Sequence, residues 1–387
     1  MKRKKRLILG VTGIRSEYDI MSSVFKKISS HPKLNLNIVV TGAHLSEKFG
    51  LTIDEIKLDK FKIVDQIESL LDSDTEASRV SGLSIQIASL VQTITRIKPD
   101  ILIVLGDREE SLATSIAGTY LNIPVAHISG GDKVVGNVDD HVRHAVTKLA
   151  HIHFPTNKES ALRIQKMGEE KFRIFNTGNP GLDRLRDYPK LNLQSVFKKY
   201  KFKISKKEKF ILIIQHPLSS EHKYSYMQMK TTLNAIADLN LKAIISYPNS
   251  DAGSEGIIKS IKEFAPHENF LIFKNIPRTE FINFMRNAAC LVGNSSAGIL
   301  EAPFLSLPVV NIGNRQKERL HAKNVQFVSH KDSDIKKAII KAISTNYKDK
   351  IKKINNPYGD GKSSIKIANV LSRIRINKKL LNKEITY

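Results

Sequence analysis

The carboxylates, histidines and arginines of this chain gather in a few short polar segments, each beginning where an apolar run stops. The densest is Ser129-Gly130-Gly131-Asp132, continued by Gly136-Asn137-Val138-Asp139-Asp140-His141 and a helical pattern carrying Arg143 and His144. Paired glycines let a ligand approach the main chain, and carboxylates beside histidines are the material of proton transfer. A structural account competes, with Asp139 as a helix N-cap and His144 as a half-buried, satisfied histidine. A metal account also exists: His141 and His144 are one helical turn apart, and His151 and His153 share a strand face. No recognised ligand spacing supports it. A second segment, Gly106-Asp107-Arg108-Glu109-Glu110, offers an aspartate able to cap a helix from about Glu109 and an arginine suited to phosphate or carboxylate. The third, Thr12-Gly13-Ile14-Arg15-Ser16-Glu17-Tyr18, turns tightly into a helix whose free N–H groups suit an anion. It is neither a Walker loop nor a GxGxxG fingerprint, so a plain turn explains it equally well.

The second half of the chain has a different chemical flavour. Gln215-His216-Pro217 and Tyr247-Pro248-Asn249-Ser250-Asp251-Ala252-Gly253-Ser254 follow apolar runs. So does Gly293-Asn294-Ser295-Ser296-Ala297-Gly298, which leads into a helical Ile299-Leu300-Glu301. A small-residue turn opening a helix cradles phosphate with backbone N–H and hydroxyl groups. Glu301 is placed to accept both hydroxyls of a ribose, and Gly313-Asn314-Arg315 can add a charge-assisted bond to a diphosphate.

The elements that must position these groups are strands and helices in alternation. Strand-length apolar runs occur at Leu7–Val11, Leu36–Val40, Ile101–Leu105, Val125–Ile128, Ile152–Phe154 and Phe172–Phe175. A second series runs Phe210–Ile214, Ala243–Ser246, Phe270–Phe273, Leu291–Val292 and Val309–Ile312. Runs apolar on both faces belong to covered parallel sheets. Between Glu76 and Ile97, Leu83, Ile87, Leu90, Ile94 and Ile97 make one helical stripe, ended by Pro99-Asp100. Two such series predict an α/β protein of two Rossmann-like, doubly wound domains facing a central cleft, with ligands beyond the carboxyl ends of the strands. The boundaries read 1–188 for the first domain, 189–209 for a lysine-rich linking region, and 210–387 for the second. The Ser363–Ile374 segment is expected to be a helix that packs back across the link.

Composition narrows the classes. A chain of 387 residues with 41% hydrophobic content can bury two cores, and no apolar run approaches the ~20 residues of a membrane span. The basic start Met1-Lys2-Arg3-Lys4-Lys5-Arg6 precedes an apolar run too short for a signal peptide, so a first strand is expected there. A single cysteine, Cys290, leaves no intramolecular disulfide or multi-thiolate metal site, and a cytoplasmic setting follows. Lys+Arg 62 against Asp+Glu 38 gives +24. The excess lies on helix surfaces, the two ends and Lys198–Lys209, without interleaved aromatics and with no Trp, which disfavours nucleic acid and leaves a solvated surface or help for anionic substrates.

Taken in order, these segments resemble the UDP-N-acetylglucosamine 2-epimerases, in particular the hydrolysing branch that begins sialic-acid-type sugar synthesis. The matching pieces are Thr12-Gly13-x-Arg15-x-Glu17-Tyr18, Thr41-Gly42-x-His44, Gly106-Asp107-Arg108, His127-x-x-Gly130-Gly131 and Asp139-x-x-x-Arg143-His144-Ala145-x-x-Lys148-Leu149-Ala150-His151. Gly178-x-Pro180, His216-Pro217, Pro248-Asn249-x-Asp251-Ala252-Gly253 and Gly293-Asn294-Ser295-Ser296 complete the set. Each piece is weak alone; the ordered set is specific.

The resemblance implies a glycosyltransferase-B-like pair of Rossmann domains with the nucleotide held mainly by the second. It implies proton removal at carbon 2 with expulsion of the nucleoside diphosphate from carbon 1, then addition of water to the glycal with inversion at carbon 2. UDP-N-acetylglucosamine would give N-acetylmannosamine. No redox cofactor and no metal are implied, and a homo-oligomer, dimer or tetramer, is. Asp107 and Asp139 resemble the family's catalytic carboxylates, and His216 its second-domain histidine near the phosphates. Arg15, Arg108, His144, Asn249, Ser295, Ser296, Glu301 and Arg315 fall on substrate- and nucleotide-binding positions. The chain departs from the pattern at Ser129, where members commonly carry a catalytic glutamate; Asp132 holds the other acidic slot, with one extra residue before Asp139. Either Asp132 takes over proton transfer or the substrate differs, a UDP- or GDP-linked 2,4-diacetamido-2,4,6-trideoxy sugar of the legionaminic pathway being the alternative. Ser16 and Asp19 also depart. Glycosyl transfer on the same scaffold and a basic nucleic-acid-binding protein are the remaining rivals.

Overall fold

Strands that read as apolar on both faces form two separate parallel sheets. The computed structural model describes residues 5–72, 75–133, 138–249 and 251–387. Gly136, Asn137 and Ser250, singled out above, lie outside the described residues, as do the first four. The chain divides into two compact units, Met1–Arg184 with Tyr358–Tyr387, and Leu185–Pro357.

Unit 1 holds β1 (Arg6–Thr12), β2 (Leu34–Thr41), β3 (Ile63–Ile67), β4 (Ile101–Leu105), β5 (Val125–Ile128) and β6 (Ile152–Phe154), in the order β3-β2-β1-β4-β5-β6. Every pairing is parallel, with Ile8 opposite both Leu36 and Ile101 at the centre. Alternation along each strand divides the core in two. Ile8, Ile38, Val40, Ile101 and Ile103 pack with Tyr18, Met21, Phe25 and Ile28 of the Arg15–Ser29 helix, and with Ile367, Ala368 and Leu371 of the Ser363–Arg373 helix. Leu9, Val11, Leu102, Val104 and Val125 face Leu90 and Ile94 of the Glu76–Ile97 helix, together with the Glu109–Tyr120 and Val138–Leu149 helices. This is why each run had no polar face to show.

Unit 2 holds β7 (Phe210–Ile214), β8 (Lys242–Ser246), β9 (Phe270–Phe273), β10 (Leu291–Gly293), β11 (Val309–Ile312) and β12 (Val325–Val328). Read from one edge the order is β9-β8-β7-β10-β11-β12, the same 3-2-1-4-5-6 connectivity as unit 1, and all parallel. In both units the order reverses beside the first strand, between β1 and β4 and between β7 and β10. That is where a doubly wound sheet opens a crevice for ligands.

Several expectations need correction. Phe172–Phe175 is not a strand: Lys171–Arg173 is a 3-10 turn, and only Ile174 bridges His153. The cause is Arg173, fully buried, which donates to the carbonyl oxygens of Leu380, Lys379 and Asn382 and to Glu170, pulling the chain off the ladder. The segment 189–209 is no bare connection, since Val196, Phe197 and Phe202 are buried in the unit 2 core. Two edge strands, β3 and β12, were absent from the sequence reading. The Ser363–Arg373 helix belongs to unit 1, its first N–H groups at Ser363 and Ser364 bound 3.0 and 2.7 Å from the two oxygens of buried Asp183. Among the described residues, no helix is long and apolar enough to cross a membrane.

Candidate active site

In unit 1 the polar segments after β1, β2, β4 and β5 all emerge at one end of the sheet. Gly106 turns with φ 76° after β4, and its carbonyl accepts a hydrogen bond from the ring of His127 at 2.7 Å. His127 is fully buried, which holds it at about 3 and therefore neutral. The proton thus sits on Nε2, and Nδ1 lies 3.3 Å from the hydroxyl of Thr147. One imidazole ties the Asp107 loop to the Val138–Leu149 helix.

Asp107 does not cap the helix that follows. Arg108 is the N-cap residue, without a side-chain cap bond, and the Asp107 carboxylate pairs instead with Arg143. Arg143 is 9% exposed and reaches Asp132 at 3.8 Å with its other terminal nitrogen. Asp132 is further held by Thr156, 2.9 Å away, and by Ser160 at 2.5 Å. Asp139 lies inside the first helical turn, so the cap reading fails there as well. It is half-buried, and its charge acts on Arg108. The structure therefore brings Asp107, Asp132 and Arg143 into one ion-paired group, with Asp139 and Arg108 coupled beside it. Two of the expected binders are engaged elsewhere. Arg15 is exposed and pairs with Glu55 at 3.1 Å, while His144 lies 3.6 Å from Asp140, burial keeping its pKa below the usual histidine value. Ser129, in the slot of the missing glutamate, has φ 62°, an unusual backbone for a serine.

Unit 2 builds its strand ends from amides and hydroxyls. Gly293 ends β10 with φ 123°, and a Cβ there would stand 2.1 Å from the carbonyl oxygen of Ile214, so only glycine fits. The next residue, Asn294, clasps the His216 backbone. Its Oδ1 accepts the His216 N–H at 2.7 Å, and its Nδ2 donates to the His216 carbonyl at 2.9 Å. The His216 ring accepts the Asn249 N–H on Nδ1 at 3.0 Å. Burial, then the charge of Arg315, holds His216 at about 4. It is neutral near pH 7 with its proton on Nε2, a donor rather than a cation. Arg315 donates to the Asn294 carbonyl at 3.3 Å and lies 3.9 Å from Asp251, which takes Asn249 Nδ2 at 2.5 Å. Ser295 and Ser296 are half-buried on the turn into the single helical turn Ala297–Leu300. Glu301 ends that turn and already pairs with Arg278 at 2.5 Å. His216, Asn249 and Arg315 thus form one network around Asn294, Ser295 turns its hydroxyl to the Ala297 N–H at 3.3 Å, and Glu301 stands apart with its own partner.

Sequence reasoning passed over Arg143, Asn294 and the pair Glu17 and Glu110 as site residues. Arg143 had a signal, since it lies one helical turn from Asp139 and on the same face. Among the described residues no group of three or more His, Cys, Asp or Glu gathers as metal ligands.

Comparison with known proteins adds a family. A family model described as UDP-N-acetylglucosamine 2-epimerase matches residues 26–372. The UDP-N,N'-diacetylbacillosamine 2-epimerase (hydrolyzing) of Legionella pneumophila is 38% identical, over 98% of each chain. The GDP/UDP-N,N'-diacetylbacillosamine 2-epimerase (hydrolyzing) of Campylobacter jejuni is 32% identical, over 89% of each. Among solved structures, the UDP-GlcNAc 2-epimerase of Neisseria meningitidis bound to UDP-GlcNAc superposes with TM-score 0.76 at 21% identity, covering 94% of this chain and 99% of that one. At that identity the likeness speaks for the fold.

Proposed function

Since the chain belongs to the UDP-N-acetylglucosamine 2-epimerase family, and to its hydrolysing branch, we propose that it releases UDP from a UDP-linked 2-acetamido sugar and frees the sugar inverted at carbon 2. UDP-N,N'-diacetylbacillosamine stands first as substrate, supported by the Legionella relative at 38% identity and by Ser129 in place of the family's usual glutamate. UDP-N-acetylglucosamine stands second.

A hydrogen on carbon 2 with no adjacent carbonyl is barely acidic. A placed base and a neutralised leaving group must therefore act together. In the first step the carbon 2 proton passes to a carboxylate, a carbon 1–carbon 2 double bond forms, and the carbon 1–oxygen bond breaks to release UDP. In the second, water adds oxygen at carbon 1 and a proton reaches carbon 2 from the opposite face. The observation that carries this reading is the Asp107–Arg143–Asp132 group at the carboxyl ends of β4 and β5, with Asp139 beside it. We assign proton transfer to Asp107 and Asp139. For Asp132 the assignment is to anchor Arg143, supported by the hydroxyls of Thr156 and Ser160 that donate to it. In unit 2, His216 Nε2–H, Ser295, Ser296 and Arg315 are the donors for the diphosphate.

The test is a panel of sugar nucleotides incubated with the protein alone in deuterated water. Release of nucleoside diphosphate with one solvent deuterium at carbon 2 of the freed sugar supports the reading. Turnover only when an acceptor sugar is added would replace it with glycosyl transfer.

A further inference from the structure

Glu17 and Glu110 are both buried, at 6% and 5% exposure, at the switch point of unit 1, and no step above uses them. They come from the helices that follow β1 and β4. The Glu110 carboxylate fits where two glycines leave room. A Cβ on Gly13 would fall 1.8 Å from its Oε1, and one on Gly42 would fall 2.8 Å away. Glu17 accepts the Gly13 N–H at 3.0 Å. The second oxygen of Glu110 is buried with no hydrogen-bond partner, and so is Nε of Arg108, the nearest cation, 3.5 Å away.

The charged surroundings are limited. Glu109 is engaged by Arg79 at 2.9 Å and lies 3.5 Å from Arg108, and Asp139 acts on Arg108 from the Val138–Leu149 helix. His44, in the turn after β2, is fully buried and neutral, and Arg15 is drawn to Glu55. Two ionised carboxylates at this spot would face one partly engaged guanidinium across a low-dielectric interior. Like charges so placed do not both ionise at neutral pH.

We propose that Glu17 and Glu110 hold one proton between them, and that this pair of single negative charge sets the position and anion affinity of Arg108. The proposal rests on the proposed function and adds Arg108 of unit 1 to the groups that meet the anionic substrate. With the proton present, one negative charge orients the guanidinium and leaves it attractive to a diphosphate. Once the proton is lost, a second buried negative charge opposes any anion that approaches Arg108. Glu17 is raised to about 8, by burial first and by the charge of Glu110 next, and Glu110 is raised by burial. Both glutamates are positioning residues, acting on ligand through Arg108.

Two measurements decide the matter. Carbon-13 carboxyl titration of glutamate-labelled wild type should show a glutamate titrating near pH 8; titration of every glutamate below pH 6 overturns the shared proton. UDP binding by calorimetry from pH 6.5 to 9 should weaken by up to tenfold per pH unit above the pair's titration, as single-proton linkage requires. Proton uptake should accompany that binding, and the same curve should flatten in Glu17→Gln. A wild-type affinity that does not change with pH, or a Glu17→Gln curve identical to wild type, overturns the coupling to Arg108. Wild type that binds UDP at no pH overturns the substrate reading and Arg108's part with it, while the carboxyl titration still decides the shared proton.

Discussion

The two units share one strand order yet furnish their switch points in opposite ways. After β1 and β4 stand carboxylates and guanidinium groups, several of them buried: Glu17, Asp107, Arg108, Glu110 and, from the neighbouring helix, Arg143. After β7 and β10 stand a neutral histidine, an asparagine that clasps it, two serines and Arg315. A connectivity fixes where a crevice opens and leaves open what fills it. Charged pairs in a dry interior can move protons, whereas fixed dipoles hold an anion without exchanging protons with it. On the proposed function, the residues after the strands divide proton chemistry from anion binding, a separation that mutations can test.

The largest effect is expected in unit 1. Asp107→Asn and Asp139→Asn should each lower kcat by roughly 10²–10⁴-fold, the usual range for a lost acid or base, while UDP still binds. Calorimetry with UDP beside steady-state rates checks this, and near-normal turnover in either variant removes that residue from the proton chemistry. Next comes Arg143→Met, which leaves two carboxylates without their shared cation. Breaking a buried pair costs about 3–5 kcal/mol, so a fall of that order in unfolding free energy should accompany loss of turnover. A variant as stable as wild type would mean that Arg143 is not the clasp described.

Unit 2 should answer differently. Arg315→Ala removes a charged donor worth about 1.5–3 kcal/mol, so UDP affinity should fall roughly 10–100-fold. Unchanged affinity would detach Arg315 from the diphosphate and blur the comparison. The smallest effect concerns pH and contrasts two carboxylate clusters inside unit 1. Burial alone would raise Glu169, but hydrogen bonds and charge from His153, Lys383 and Lys148 outweigh it and hold it at about 2. Its folded value lies below the 4.5 of a free glutamate, so its stabilisation is present above pH 4.5 and is lost as pH falls towards 2. Glu17, raised, contributes the reverse: stability full below 4.5 and lost as pH rises through about 8. Denaturation midpoints across pH should lose the acid limb in Glu169→Gln and the alkaline limb in Glu17→Gln. Swapped or unchanged limbs would contradict the assignment.

Much of the fold was legible because central strands must be apolar on both faces. β4 and β7 announce themselves as uninterrupted apolar runs, and β5 and β11, broken only by His127 and Asn311, are likewise buried at every residue. At the sheet edges, β6 and β9 still read as apolar runs, but β3 and β12 do not: β3 carries Asp65 and Gln66, and β12 is only half-buried throughout. The site divides along the same line. Residues after central strands, such as Asp107 and His216, could be picked from position alone. What each one pairs with could not, because the partner arrives from distant sequence. Nothing near Gly13 says that it is a glycine to admit Glu110, and nothing near Asp132 points to Thr156 and Ser160.

Arg173 and Leu371 carry a consequence for synthesis. Unit 2 is one continuous stretch, but unit 1 is completed only by residues that follow it. Arg173 needs carbonyls at 379, 380 and 382, Arg6 needs the one at Leu371, and Ile367 and Leu380 fill the core. On the ribosome, the earlier part of unit 1 must wait with these donors unmet and its apolar helix face bare until residues 358–387 emerge. The inserted unit can fold first, so the lobe begun earliest is the one finished last.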